Sequence, residues 1–144
     1  MDLVNSLIHS RILLSNLTDG FSVTGSCKNN VLSIRLKILF LLEEKDQTPA
    51  DLISALCIAK SNLANVLKSL INDGLIESYK NLNNTRNINY HILDKGKKEL
   101  DCYKRNLQAE LECKKEKLGE RETLFDELTK NLTQIIQILE KEAR

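Results

Sequence analysis

Six side chains between positions 60 and 69 carry most of the chemistry that this chain offers. Lys60, Ser61, Asn62, Asn65, Lys68 and Ser69 lie off the Leu63, Val66, Leu67 and Leu70 stripe of one amphipathic segment. An Asn amide can donate and accept together at an adenine edge, a Ser hydroxyl can do either, and a Lys neutralises phosphate. No Asp or Glu occurs from Leu52 to Asn72, so nothing there repels a polyanion. Arg86 adds a cation at the expected tip of the Asn-rich loop Asn81-Leu82-Asn83-Asn84-Thr85-Arg86-Asn87. A narrow A/T-rich minor groove, where negative potential is concentrated, suits such a side chain. The plain alternatives are an ordinary solvated helix face and a surface Arg paired with an acidic neighbour.

The other reactive side chains are scattered. The four Cys, at 27, 57, 102 and 113, show no CxxC spacing. Cys57 occupies a turn that needs a small residue and reads as a packed, inert thiol. Cys102 and Cys113 share a helix face but are about 16 Å apart along it, too far to bridge within one chain. A bond between two protomers stays open. Cys27 falls in a connecting segment beside Lys28, which would favour its thiolate, as a redox sensor requires. His9 and His91 have no Cys or carboxylate at metal-ligand spacing, so no metal site is predicted. There is no Gly-rich phosphate loop, nucleophile elbow or HExxH. The chain is predicted to have no catalytic residues, no enzymatic activity and no cofactor.

Local patterns place these groups on elements. Leu3, Leu7, Ile8, Ile12, Leu13 and Leu14 predict a first helix over 2–17, stopped by Asp19-Gly20 and followed by a polar connection from Phe21 to Asn29. Val31 to Glu44 predicts a strongly buried helix. Thr48-Pro49-Ala50-Asp51 is a helix start: a Thr cap, Pro at the first position and an acid at the positive end. A turn at Cys57-Ile58-Ala59 leads into the helix that carries the polar face, ended by Asp73-Gly74. Leu75 to Lys80 and Ile88 to Leu93 alternate as strands, with Asn81 to Asn87 as the loop between them. Asp94 is placed to cap a long helix bearing Leu100, Tyr103, Leu107, Leu111 and Leu118. A break near Gly119 precedes a last helix bearing Leu124, Leu128, Leu132, Ile135, Ile136 and Leu139.

The fold class is therefore mainly α, a winged helix-turn-helix with a small β-hairpin wing and N- and C-terminal helices. The expected division is 1–29 for the N-terminal helix and connection, 30–96 for the winged domain and 97–144 for the C-terminal helices. The net charge of +1 hides an uneven distribution. Residues 28–98 hold 11 Lys/Arg against 7 Asp/Glu, so the positive surplus falls on the winged segment, where a nucleic acid would need it. With Asp2 after Met1 and no long apolar run, neither a leader nor a membrane partner is predicted, and the expected location is the cytoplasm. Apolar stripes on terminal helices that exceed the needs of a winged domain predict pairing with a second copy.

Taken together, the chain resembles the MarR family of bacterial transcriptional regulators. The resemblance rests on TPADL at 48–52, IAKSNLANVLKSLINDGLI at 58–76, NTRNINYHIL at 84–93 and DKG at 94–96. Three positions depart from the family pattern. Asn84 stands where an Asp often precedes the wing Arg, Asp94 replaces a Thr, and Asn65 replaces a recognition-helix Arg. The resemblance implies a homodimer, joined through its first and last helices, on double-stranded DNA at a near-palindromic operator. It implies Lys60, Ser61, Asn62, Asn65, Lys68 and Ser69 in the major groove and Arg86 in the minor groove. In many members a small, often phenolic, effector or an oxidant releases the DNA. Two alternatives stay open: a thiol-oxidation-sensing regulator of the same fold, and a winged-helix protein-binding adaptor without DNA binding.

Overall fold

The structure, a computed structural model, describes residues 4, 5, 8, 32–118 and 123–142. The expected first helix, its stop at Asp19-Gly20, the connection with Cys27 and the break near Gly119 lie outside the described residues, except that Val4, Asn5 and Ile8 are helical. Two compact units are present, Met1–Asn106 and Leu107–Arg144. The first runs past the expected boundary at 96 because Leu100 and Tyr103 are buried in it.

Helix α1 (Ile34–Glu44) begins later than the apolar pattern suggested, because the Ser33 hydroxyl accepts from the Leu36 N–H at 3.3 Å and sets the start. Its Leu36, Ile38, Leu39 and Leu42 are buried. Helix α2 (Pro49–Leu56) starts on a complete capping box. The Thr48 hydroxyl accepts from the Asp51 N–H at 3.2 Å, and the Asp51 carboxylate accepts from the Thr48 N–H at 3.0 Å. That backbone hydrogen bond from Thr48, with the hydroxyl's, holds the Asp51 carboxyl below its usual range. Replacing Thr48 by Ala should cost about 1 kcal/mol, read as a lower urea midpoint at unchanged slope.

The chain then bends by 115° into α3 (Lys60–Asn72), within the span expected of a helix-turn-helix. Leu52 of α2 and Leu63, Leu67 and Leu70 of α3 are buried. Cys57 makes the turn in the left-handed region, at φ 53°. Contrary to the expected packed thiol, it is exposed, and its thiol donates to the Ser54 carbonyl at 3.7 Å. Gly74, at φ 73°, ends α3. The Leu75 N–H reaches back to the Leu70 carbonyl at 3.0 Å, a Schellman closure with both leucines buried.

The wing is an antiparallel pair, β1 (Ile76–Asn81) and β2 (Asn84–Ile92), with Ile76 opposite Ile92 and Lys80 opposite Ile88. The strands extend further than sequence suggested, leaving only Leu82-Asn83 as the turn. Pairing overrides the low strand propensity of the Asn residues. Next come α4 (Asp94–Leu118) and α5 (Thr123–Glu142). Asp94 does not cap α4 as expected. The Leu93 carbonyl accepts from Lys97, so Leu93 holds the cap position and Asp94 lies in the first turn, near the helix's positive end. On α5, Leu128, Ile135, Ile136, Ile138 and Leu139 are exposed. No single helix among the described residues is long and apolar enough to cross a membrane.

Candidate nucleic-acid interface

The burial of Leu63, Leu67 and Leu70 decides which face of α3 is open. At about 100° per residue, the opposite face centres on Ser61, Asn65, Lys68 and Asn72, all exposed. Lys60 and Asn62 flank it and are exposed as well. Ala64 is also exposed, a small apolar patch of the kind that meets a thymine methyl group. Neither Ala64 nor Asn72 was singled out from sequence, although the Leu spacing would have placed both. Ala59 precedes the helix and offers no side-chain cap, so the first N–H groups of α3 have no side-chain acceptor there. Such donors, with Lys60 beside them, favour an anion.

Ser69 differs from the rest of the predicted set. It is half-buried, and its hydroxyl accepts from Arg35 Nη1 of α1 at 2.7 Å. The same guanidinium pairs through Nη2 with Asp73 at 2.6 Å. Lys95 of α4 donates to the Asp73 carbonyl at 2.8 Å. The C-terminal end of α3 is thus pinned from both neighbouring helices. The spacing gave no sign of this, because Arg35 lies 34 residues before Ser69. Replacing Arg35 by Ala should leave global stability within about 1 kcal/mol, since the pair is partly exposed. Amide exchange from Ile71 to Leu75 should quicken locally; unchanged exchange there would argue against the pin.

Arg86 is exposed on β2 rather than at the loop tip. The register shifts between the Lys80–Ile88 and Asn81–Asn84 pairs, so β2 bulges across Thr85, Arg86 and Asn87. A bulge of this kind bends its strand and re-aims the side chain it carries. Leu82 occupies the tip instead and is 97% exposed.

At the base of the wing, Asp46 accepts from the Tyr79 hydroxyl at 2.5 Å and meets His91 Nδ1 at 2.7 Å. The Tyr79 hydrogen bond, and then His91, hold the Asp46 carboxyl below its usual range, while Asp46 pushes the Tyr79 phenol up. The carboxylate that His91 meets comes from 45 residues away in the sequence, which no local spacing could show. Among the described residues no cluster of three or more His, Cys, Asp or Glu could hold a metal ion.

The MarR family model matches residues 35–88. Among solved structures, the chain is similar to a MepR mutant from S. aureus at 18% identity, covering 96% of this chain and 99% of that one, with a TM-score of 0.65. It is also similar to the transcriptional regulator BldR from Sulfolobus solfataricus, at 18% identity, 93% and 99% coverage and a TM-score of 0.59. Adhesin competence repressor (AdcR) from Streptococcus pyogenes aligns at 19% identity, covering 95% of each chain, with a TM-score of 0.52. No curated protein matches the sequence. At these identities the structural likeness is one of fold, and that fold is the expected winged helix-turn-helix.

Proposed function

We propose, for a chain whose residues 35–88 match the MarR family and fold as its winged helix-turn-helix, a homodimeric, sequence-specific DNA-binding regulator that acts as a repressor in the cytoplasm. One observation carries this reading. The second helix of the helix-turn-helix turns Ser61, Asn65, Lys68 and Asn72 outward, with no acidic residue on it. That face combines hydrogen-bonding groups for base edges with cations for phosphate. Lys60 and Asn62 extend it, and Arg86 on the bulged strand is the minor-groove contact. Ser69 acts through Arg35 as a support for the helix rather than as a base reader.

The exposed Leu128, Ile135, Ile136, Ile138 and Leu139 of α5 support pairing with a second copy, because such a stripe is costly to leave in water. A small-molecule effector that alters the spacing of the two recognition helices completes the proposed regulation. The neighbours described as a transcriptional regulator and a repressor support the same function class.

The test is selection of bound sequences from a random duplex pool. The expected product is a near-palindrome whose half-sites lie about one helical turn apart, with affinity that falls as salt rises. If folded dimer enriches no sequence, the DNA reading fails and a protein-binding adaptor replaces it.

A further inference from the structure

We propose that Asp46 is a positioning residue that latches the wing onto the helix-turn-helix, and so fixes where Arg86 meets the DNA. The inference rests on the DNA-binding reading for its consequence, but the latch itself is a matter of geometry.

Asp46 lies in the short link between α1 and α2. One of its carboxylate oxygens, Oδ2, accepts from Tyr79 on β1, and the other, Oδ1, meets His91 on β2. Glu77 stands opposite His91 and Asn89 opposite Tyr79, so Tyr79 and His91 are diagonal neighbours on one face of the hairpin. A single carboxylate therefore spans both strands. The next residue, Gln47, exchanges backbone hydrogen bonds with Tyr90 at 2.9 and 3.3 Å, and its buried amide donates to the Leu41 carbonyl at 3.1 Å. The residue after that, Thr48, caps α2. Three consecutive residues thus fasten the wing, α1 and α2 to one another.

The outer part of the hairpin gives this junction leverage. From Asn81 to Ile88 the residues whose side chains are described are all exposed. Arg86 is five residues beyond His91, roughly 16 Å at 3.3 Å per residue. A 10° swing at the base would displace it by about 3 Å, enough to lose a groove contact. Tyr79 holds the carboxylate through a neutral hydroxyl, so half of the latch does not depend on the charge of His91.

The deciding experiment is a double-mutant cycle on the selected operator with wild type, Asp46→Ala, Arg86→Ala and the double variant. Asp46→Ala should weaken binding about fivefold, the size of a favourable exposed charged contact, and relax sequence preference only in the flanks beneath the wing. In the Arg86→Ala background the same change should have less than about a twofold effect, because there is no arginine left to position. Asp46→Asn, whose amide oxygen still accepts from Tyr79, should restore part of the loss. An equal loss in both backgrounds would show a general structural role and overturn the proposal. Amide exchange of the unliganded protein separates the two readings. If wild type binds no duplex, the functional reading fails, while faster exchange of β1 and β2 in Asp46→Ala with α3 unchanged still supports the latch. Unchanged wing exchange would end it.

Discussion

Replacing Gly96 by Ala should destabilise the protein by about 2–3 kcal/mol, although alanine is the better helix former. A Cβ at this position, in the first turn of α4, would lie 2.4 Å from the Leu75 carbonyl oxygen, 2.9 Å from Ile92 Cγ1 and 3.2 Å from Leu39 Cδ2. The first of these is backbone, and its oxygen already accepts from the Leu93 N–H at 2.9 Å. It cannot yield without disturbing the Schellman closure on one side and the base of the wing on the other. The roughly 1 kcal/mol that Ala gains in helix propensity is the smaller effect. Gly74→Ala is the useful contrast. Nothing lies within 4 Å of its added Cβ, and only its φ of +73° resists substitution, at about 1 kcal/mol. Urea midpoints for both variants check the ranking. A Gly96→Ala midpoint at or above wild type would remove the close approach as an explanation for this glycine.

Arg86→Ala should lower affinity for the selected operator by about 10- to 100-fold, equivalent to about 1–3 kcal/mol. The side chain is exposed on the bulged part of β2, so fold stability should change little. The expected signature has two parts. Preference should relax in the A/T-rich flanks reached by the wing, with the half-site core retained, and the salt slope should fall by about one unit. Binding isotherms at several salt concentrations, against matched and flank-altered operators, distinguish groove entry from simple charge. A loss that is uniform across sequences would make Arg86 a phosphate contact. No loss at all would remove the wing from the interface.

How much was legible depended on sequence distance. Thr48 and Asp51 are three apart, and a capping box is completed by just such local partners, so the start of α2 could be read directly. Leu63, Leu67 and Leu70 recur at helical spacing, which identified both the buried stripe of α3 and the polar face opposite. Ile88, Tyr90 and Ile92 alternated clearly enough to mark a strand. The wing's outer half was hidden because Asn81, Asn84 and Asn87 have turn propensity, and only the pairing of Asn81 with Asn84 and of Lys80 with Ile88 draws this segment into the hairpin. The cap of α4 was misplaced by one residue for a related reason. Asp94 has the right chemistry, but the hydrogen bond from Leu93 to Leu75 fixes where the helix begins.

Sequence by itself determined the order of elements, the exposed face of α3 and the class of molecule that such a face suits. Those follow from periodicity, caps and charge, which act over a few residues and survive without knowledge of the rest of the chain. Tertiary structure decided how the elements are fastened. Arg35 finds Ser69 and Asp73, Asp46 finds Tyr79 and His91, and Gly96 makes room for Leu75, across separations from 21 to 45 residues. Such pairs leave no periodic trace, because their partners are chosen by packing of the buried leucines and isoleucines. The same fold leaves Cys57 exposed and sets half-buried Ser69 against Arg35, neither of which each residue's own neighbourhood indicated.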